Sequence, residues 1–417
     1  MIKSTLKIIL ILITGIVAGT LLLMGSFLLP AEVIEKNIKK SDNIFVNEST
    51  YETVFPDYAS TQIDNFTDSL MLQNASYIGD ESIVDKSMNI YRYLNDSDAR
   101  ISLLFQLRHK NVEVSSYDRY WHGYLVILKP MLMILNYNDL RILNSTLQIM
   151  LVITVVYLLV KNNKAKYLLS YIPSLIIISP ATIAKSLQLS VVFYIFNISM
   201  IIMLLYNNKL IKKNRYVYFF FIVGMVTSYF DLLTYPLVTL CMPLILYLIL
   251  NPMKFSKGIK NIIGLSIIWV IGYAGMWIGK LAVGSILLNR NLFTVALISV
   301  NVRTSLEVLG EKITIMSVLK ANIENILIKP YILLTQLSVV YVIERLITNK
   351  LIFIKNKLKD YLPLLFISLI PFVWYIIFSN HSYVHSWFTY RNLMITIFAL
   401  LSLLISALEK VDNKLDR

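Results

Sequence analysis

The chain has 417 residues, 57% of them hydrophobic and 15% charged, with a formal net charge of +14. An apolar share this large excludes a soluble globular protein. The excess of lysine falls in the breaks between apolar runs, where basic loops facing anionic lipid account for it, so no nucleic-acid partner is expected. The fold class predicted is all-α: a polytopic bundle of transmembrane helices.

In chain order, the uncharged run Ile8 to Leu29 comes first, after Lys3 and Lys7. It is longer than the roughly 7–15 apolar residues of a secretory signal and lacks a small-x-small cleavage site, so it is read as an uncleaved anchor. From Pro30 to Tyr120 the composition changes, and this stretch holds fifteen of the twenty-five acids. It contains Asp57 and then Asp64-Asn65-Phe66-Thr67-Asp68, whose spacing of four puts both carboxylates on one face of a helix. The apolar stretch Ser69 to Tyr77 predicts such a helix, with Asp64 at its N-cap. Capping and proton transfer both stand open for these acids. The loop ends in Asp118-Arg119-Tyr120-Trp121-His122-Gly123.

Tyr124 to Leu135 is short and interrupted by Lys129 and Pro130. It is predicted to be interfacial or re-entrant, with Tyr120, Trp121 and Tyr124 as aromatic anchors at headgroup level. Apolar runs near the ~20 residues that cross a bilayer then recur at 145–160, 167–184, 188–206, 216–233, 236–251, 261–288, 331–348, 361–378 and 392–408. With the anchor they make ten spans. Lys and Arg in short loops stay cytoplasmic. This places Lys3 and Lys7, the Lys161–Lys166 and Lys209–Arg215 clusters, Lys254 to Lys260, Lys350 to Lys359, and Lys410, Lys414 and Arg417 inside, with both termini. The domain plan is an anchor (1–29), a first extracytoplasmic loop with amphipathic helices (30–144) and a multi-span domain (145–417).

The same topology gathers polar residues on the outer face. Asp231 lies where one apolar helix ends, just before Pro236, and either caps the turn or meets a sugar hydroxyl or divalent cation. Asn289 to Pro330 adds Arg290, Arg303, Glu307 and Glu311. His381 and His385, two of only four histidines, precede Arg391 in a polar, aromatic segment. An always-charged guanidinium with two imidazoles suits a phosphate or pyrophosphate. A metal on the histidine pair lacks the neighbouring Glu of the His-Glu-x-x-His pattern. Lone Cys241 sits in an apolar run and is read as a packed core residue, which excludes disulfides and cysteine metal sites. Asn65-Phe66-Thr67 and Asn74-Ala75-Ser76 match the glycosylation acceptor pattern, while P-loop, GxGxxG and GxSxG motifs are missing.

An anchor helix, a large acidic first outer loop and a polytopic bundle with a polar outer loop near its end resemble the GT-C glycosyltransferases. The strings Asp64 to Asp68, Arg119 to Tyr124 and His381 to Arg391 are similar to those of uncharacterised bacterial multi-pass proteins of that kind. The resemblance implies a donor that is a polyprenyl-phosphate-linked sugar and an acceptor that is a glycan or lipid. It also implies a first-loop carboxylate as general base, matched by Asp64 or Asp68 with Asp57 behind them. Substrate contacts would come from His381, His385, Arg391, Asp231, Arg119, Trp121 and His122. No cofactor is required by the resemblance, although a divalent cation stays open, since the Asp-x-Asp string and tryptophan-rich signature of metal-dependent members are lacking. Such an enzyme displaces a lipid phosphate with inversion, the carboxylate taking the acceptor's proton. A lipid-linked glycan flippase and an envelope polysaccharide polymerase are the alternatives.

Overall fold

A computed structural model describes residues 2–109, 113–348, 351–353 and 355–410. The described chain is mostly helical, and six helices are long and apolar enough to cross a membrane: Thr5–Ser26, Tyr137–Lys161, Leu187–Asn214, Phe255–Leu287, Leu358–Ile377 and Ser386–Ser406. The protein is a membrane protein by that measure. In hydrocarbon a chain must satisfy its backbone internally, which is why uncharged runs of this length become helices. Of the cations assigned to the inner side, Lys350, Lys414 and Arg417 lie outside the described residues.

The principal helices are α1 (Ile2–Ser26), α2 (Asn65–Ser76), α3 (Leu125–Leu132), α4 (Tyr137–Lys161), α5 (Leu168–Ile177), α6 (Leu187–Ile211) and α7 (Tyr216–Phe230). They are followed by α8 (Leu237–Leu250), α9 (Phe255–Leu287), α10 (Leu292–Thr304), α11 (Lys329–Ile347), α12 (Pro363–Ile377), α13 (Ser379–Val384) and α14 (Leu393–Ser406). Two small antiparallel hairpins sit in connections, β1 (Tyr91–Tyr93) with β2 (Val114–Ser116), and β3 (Glu307–Val308) with β4 (Glu311–Lys312).

Against ten expected spans, several runs come out shorter. The run 167–184 is not one helix: α5 ends at Ile177, Ser179 takes a left-handed φ of 54°, and Pro180 opens a new turn. Proline lacks the amide that would continue the first helix, so the break is built into the sequence. Helices α7 and α8 have 15 and 14 residues, about 22 Å at 1.5 Å per residue, below the ~30 Å of a hydrocarbon core. A further apolar helix, α10, lies in the stretch expected to be an outer connection. The first long helix after the loop, α4, starts at Tyr137 rather than near 145, because Asn136 and Asp139 form a capping box there.

The loop is part of the core. Phe45, Leu72, Trp121 and Leu125 pack in one buried cluster with Leu23 of α1, Tyr229 of α7 and Met276 of α9. Tyr120, Trp121 and Tyr124 are all buried, which corrects their expected role as headgroup anchors. The Trp121 Nε1 donates to the Met276 carbonyl at 2.7 Å, and its ring lies 5.3 Å from that of Tyr229. The segment α3 is a short buried helix carrying Pro130, and the Lys129 ammonium donates to the Ala75 carbonyl at the end of α2.

Helices α7 and α9 cross backbone to backbone. A Cβ built on Gly224 would meet the Trp269 carbonyl oxygen at 2.2 Å, and one on Gly272 would meet that of Phe221 at 2.2 Å. Small residues permit such approaches, which replace the hydrophobic drive that is absent between helices in lipid. Gly224→Leu or Gly272→Leu must push the helices apart and is expected to cost about 1–3 kcal/mol by overpacking. The check is thermal unfolding in lipid nanodiscs, where an unchanged midpoint for either variant would refute this crossing.

Candidate functional site

Helix α2 begins as its sequence predicts. Asp64 is its N-cap, with Oδ1 accepting the Thr67 amide at 2.9 Å, and Asp68 follows one turn later. Both are buried, yet their commitments differ. The Asp68 Oδ2 accepts the Leu187 amide at 2.8 Å and the Tyr137 hydroxyl at 2.7 Å, while Oδ1 accepts the Gln188 amide at 3.1 Å. Asp68 therefore caps the N-terminus of α6 from another helix, where a carboxylate meets orphan amides and the positive end of the dipole. Its two oxygens are spent, so of the two preferred base candidates only Asp64 keeps that role. Burial raises the Asp64 carboxyl from its ordinary 3.8 to about 7, with the nearby Asp68 adding to the rise and the Thr67 hydrogen bond and the Arg391 charge opposing it. Asp57 is exposed, with a φ of 70°, and shares none of these contacts.

Arg391 is brought to the loop, but not as a free phosphate ligand. The side chain is fully buried, with Nε donating to Ile178 O at 3.0 Å, Nη1 to Trp387 O at 3.0 Å and Nη2 to Ser60 O at 3.3 Å. The Tyr390 hydroxyl donates to the same Ser60 carbonyl at 2.8 Å. Ser60 lies four residues before Asp64, so Arg391 positions the loop and sets the field at Asp64. Over Asp64 the structure adds residues that the sequence did not single out: Tyr51, Phe66 and Trp387. The Tyr51 ring stands 5.2 Å from that of Trp387 and 6.3 Å from that of Phe66, and the Asp64 charge acts on its hydroxyl. No spacing links Tyr51 to Trp387, and no motif flags them.

His381 and His385 stand together, ring centroids 4.9 Å apart, although His385 falls just past the end of α13. The His381 Nε2 bonds the Leu233 carbonyl at 2.9 Å, while its buried Nδ1 has no hydrogen-bond partner. Desolvation and the charge of Arg303 hold both imidazoles below their ordinary range, His385 near 4, so both are neutral at pH 7. Arg303, on α10, is half-buried and makes no ion pair among the described residues. Its guanidinium lies 5.6 Å from the Tyr120 ring. Arg119 stacks over Tyr117 and Tyr120 from the loop side, at 4.8 Å and 5.5 Å. Arg119 also interacts with the Tyr117 and Tyr120 hydroxyls, and the buried Ser382 hydroxyl has no hydrogen-bond partner among the described residues. Arg119 and Arg303 thus meet on the Tyr120 ring, and guanidinium N–H groups form charge-assisted hydrogen bonds with anions.

The segment from His381 to Arg391 thus forms one wall. Arg303 and the histidines stand at one end, Asp64 and Arg391 at the other, and Trp387 and Phe388 lie between, their rings 4.9 Å apart. Asp231 lies next to the histidine end and is a cap: Thr234 donates its amide at 3.0 Å and its hydroxyl at 2.5 Å. Burial raises its carboxyl to about 6. His122 is committed to structure, its Nε2 bonding Tyr117 O at 2.7 Å and its Nδ1 the Tyr124 hydroxyl at 2.9 Å. The two glycosylation patterns are also structural, because the Asn65 amide donates to Ser49 O and the Asn74 amide to Tyr91 O. Among the described residues no group of three or more His, Cys, Asp or Glu stands where it could hold a metal ion. Between α2, α3, α4, α6 and α7 runs an apolar cavity of about 690 Å³, lined by Met71, Tyr124, Leu187, Tyr194 and Phe230 among others. No family model, curated protein or solved structure matches the chain.

Two measurements test this arrangement. Asp68→Ala leaves two helix-terminal amides and the Tyr137 hydroxyl unpaired and is expected to cost about 3 kcal/mol or more; a variant as stable as the parent would refute the cap. Asp64 has a raised folded-state carboxyl, so its protonated form stabilises the fold and this contribution is lost as pH rises from about 4 to about 7. Asp231, raised to about 6, adds a smaller loss over the lower part of that window. The buried histidines, held below their ordinary range, act in the opposite sense and are common to both proteins, so the expected result is that the melting temperature of the parent falls relative to that of Asp64→Asn as pH rises across this window; parallel curves would show that Asp64 is not buried as described.

Proposed function

We propose that the protein is a membrane glycosyltransferase of the GT-C type, moving a sugar from a polyprenyl-phosphate donor to a glycan or lipid acceptor at the outer face. The observation that carries this reading is the single wall joining a buried carboxyl titrating near neutrality, Asp64, to an unpaired cation beside two neutral imidazoles, Arg303 with His381 and His385. Ten spans with both termini inside belong to the same reading. So does the placing of the wall on the outer side, which follows from the lysine distribution.

In this mechanism the acceptor hydroxyl attacks the anomeric carbon while Asp64 takes its proton. The bond from that carbon to the phosphate oxygen breaks, and the electron pair leaves with the lipid phosphate. Arg303 balances the phosphate charge, with Arg119 and the His385 N–H donating hydrogen bonds; the one N–H of neutral His381 is spent on the Leu233 carbonyl, and Arg391 acts by position. A general base works best with a carboxyl near the operating pH, which burial gives Asp64. Tyr51 and Trp387 offer faces for a sugar ring. The apolar cavity beside α2 takes part of the polyprenyl chain, its volume of about 690 Å³ lined by aliphatic and aromatic side chains.

The test is radiolabelled polyprenyl-phosphate sugar supplied to the protein in proteoliposomes. Transfer of label to an acceptor is expected, with Asp64→Asn slowing it about 10²-fold or more, the range for a positioned general base, and the rate of the parent rising with pH through about 7. Arg303→Met is expected to slow transfer while leaving melting unchanged. Elongation of one chain would indicate a polymerase and movement without bond change a flippase; an Asp64→Asn variant at full rate would refute the assigned base.

A further inference from the structure

On the other side of the loop from Asp64 lies a polar cleft that the proposed mechanism does not use. It is a cavity of about 310 Å³ lined by Asp85, Asn89, Tyr91, Ser116, Leu288 and Arg290. Three parts of the chain meet there: the helix Ile83–Asn89, the β1–β2 hairpin, and the turn between α9 and α10. A chain of hydrogen bonds runs around it. The Tyr91 hydroxyl donates to Asp85 Oδ1 at 2.7 Å and accepts from Asn89 Nδ2 at 3.2 Å, and Asn89 Oδ1 accepts from Arg290 Nη2 at 2.7 Å. The same Arg290 nitrogen also donates to Asp118, which forms its ion pair.

The cleft therefore has no uncompensated positive charge. Asp118 neutralises Arg290, and Asp85 has no ion pair among the described residues, so a phosphate or sulfate would meet a compensated guanidinium and a facing carboxylate. What remains is a rim of alternating donors and acceptors with capacity to spare: the second carboxylate oxygen of Asp85, the other N–H groups of Arg290 and the Ser116 hydroxyl. A sugar hydroxyl is donor and acceptor at once and needs such alternation, and Leu288 and the Tyr91 ring supply apolar surface for the C–H face of a pyranose. The volume falls at the small end of the roughly 300–1,000 Å³ of small-molecule pockets.

We propose that this cleft binds a neutral saccharide of one or two rings, held by Asp85, Asn89, Tyr91 and Arg290. As the docking point of an acceptor glycan it rests on the glycosyl-transfer reading, whereas as a saccharide site it stands by itself. Asp118 joins it to the wall, since the next two residues are Arg119 and Tyr120, and the Tyr120 ring carries both the Arg119 and the Arg303 guanidinium.

The experiment uses the full chain in lipid nanodiscs and saturation-transfer NMR with cellobiose, chitobiose and maltose, with inorganic phosphate and glycine as competitors. At least one disaccharide is expected to receive saturation. Ser116→Trp, which fills the cleft and breaks none of the named hydrogen bonds, is expected to weaken binding tenfold or more at unchanged melting temperature, and Tyr91→Phe, which loses the bonds to Asp85 and Asn89, to weaken it similarly. The proposal is overturned if no disaccharide receives saturation, if Ser116→Trp binds like the parent, or if phosphate or glycine displaces the sugar. Binding without any sugar transfer would sink the transferase and leave the cleft; transfer without disaccharide binding would sink the cleft alone.

Discussion

The structure depends on how the buried N-terminus of α6 is satisfied. A helix start leaves amides without intrahelical partners, and in apolar surroundings each one costs free energy unless an acceptor is supplied. Here the acceptor is Asp68, carried on a loop helix, which takes both the Leu187 and Gln188 amides and the hydroxyl of Tyr137 at the start of α4. One carboxylate thereby ties the loop to two membrane helices. Because α2 is rigid, it also fixes Asp64 one turn away and Met71 on the wall of the apolar cavity.

The same exchange recurs wherever the bundle buries a polar side chain. Lys280 of α9 donates to the Met88 carbonyl at 2.9 Å, Arg391 to Ser60, and Trp121 of the loop returns a bond to Met276. Charges and donors that would be expensive in lipid find carbonyls in the loop, so the loop is an internal partner of the bundle. This is why Arg391, the most obvious cation of its segment, is consumed in holding the fold. Arg303, which makes no ion pair among the described residues and stacks on Tyr120 instead, sits on a short helix in the stretch between α9 and α12.

A candidate site emerges from that division of labour. Asp68, Asp231, His122 and Arg391 are fully paired and hold position, whereas Arg303 and Arg119 are held only by the rings and hydroxyls of Tyr117 and Tyr120. Asp64 lies between the two groups, spending Oδ1 on its own helix while burial brings its carboxyl near neutrality.

By itself the sequence determined what depends on neighbours along the chain. Apolar runs without charge dictated membrane helices, Asp64 before Ser69 to Tyr77 dictated the start of α2, and Pro130 with Lys129 kept α3 from crossing. Spacing also brought His381 and His385 together. Tertiary structure alone decided which of these polar groups were spent. Asp64 and Asp68 are equivalent in sequence, and only the arrival of Leu187, 119 residues later, turned one into a cap and left the other as a candidate base. Tyr120 and Trp121 were plausible lipid anchors until α9 and α10 covered them, nothing local marked Tyr51 or Trp387, and Arg303 was one outer-face charge among several. The reason is physical: propensity and hydropathy are set within a few turns of chain, whereas the partner of a buried charge is set by whichever distant backbone group comes within hydrogen-bonding distance.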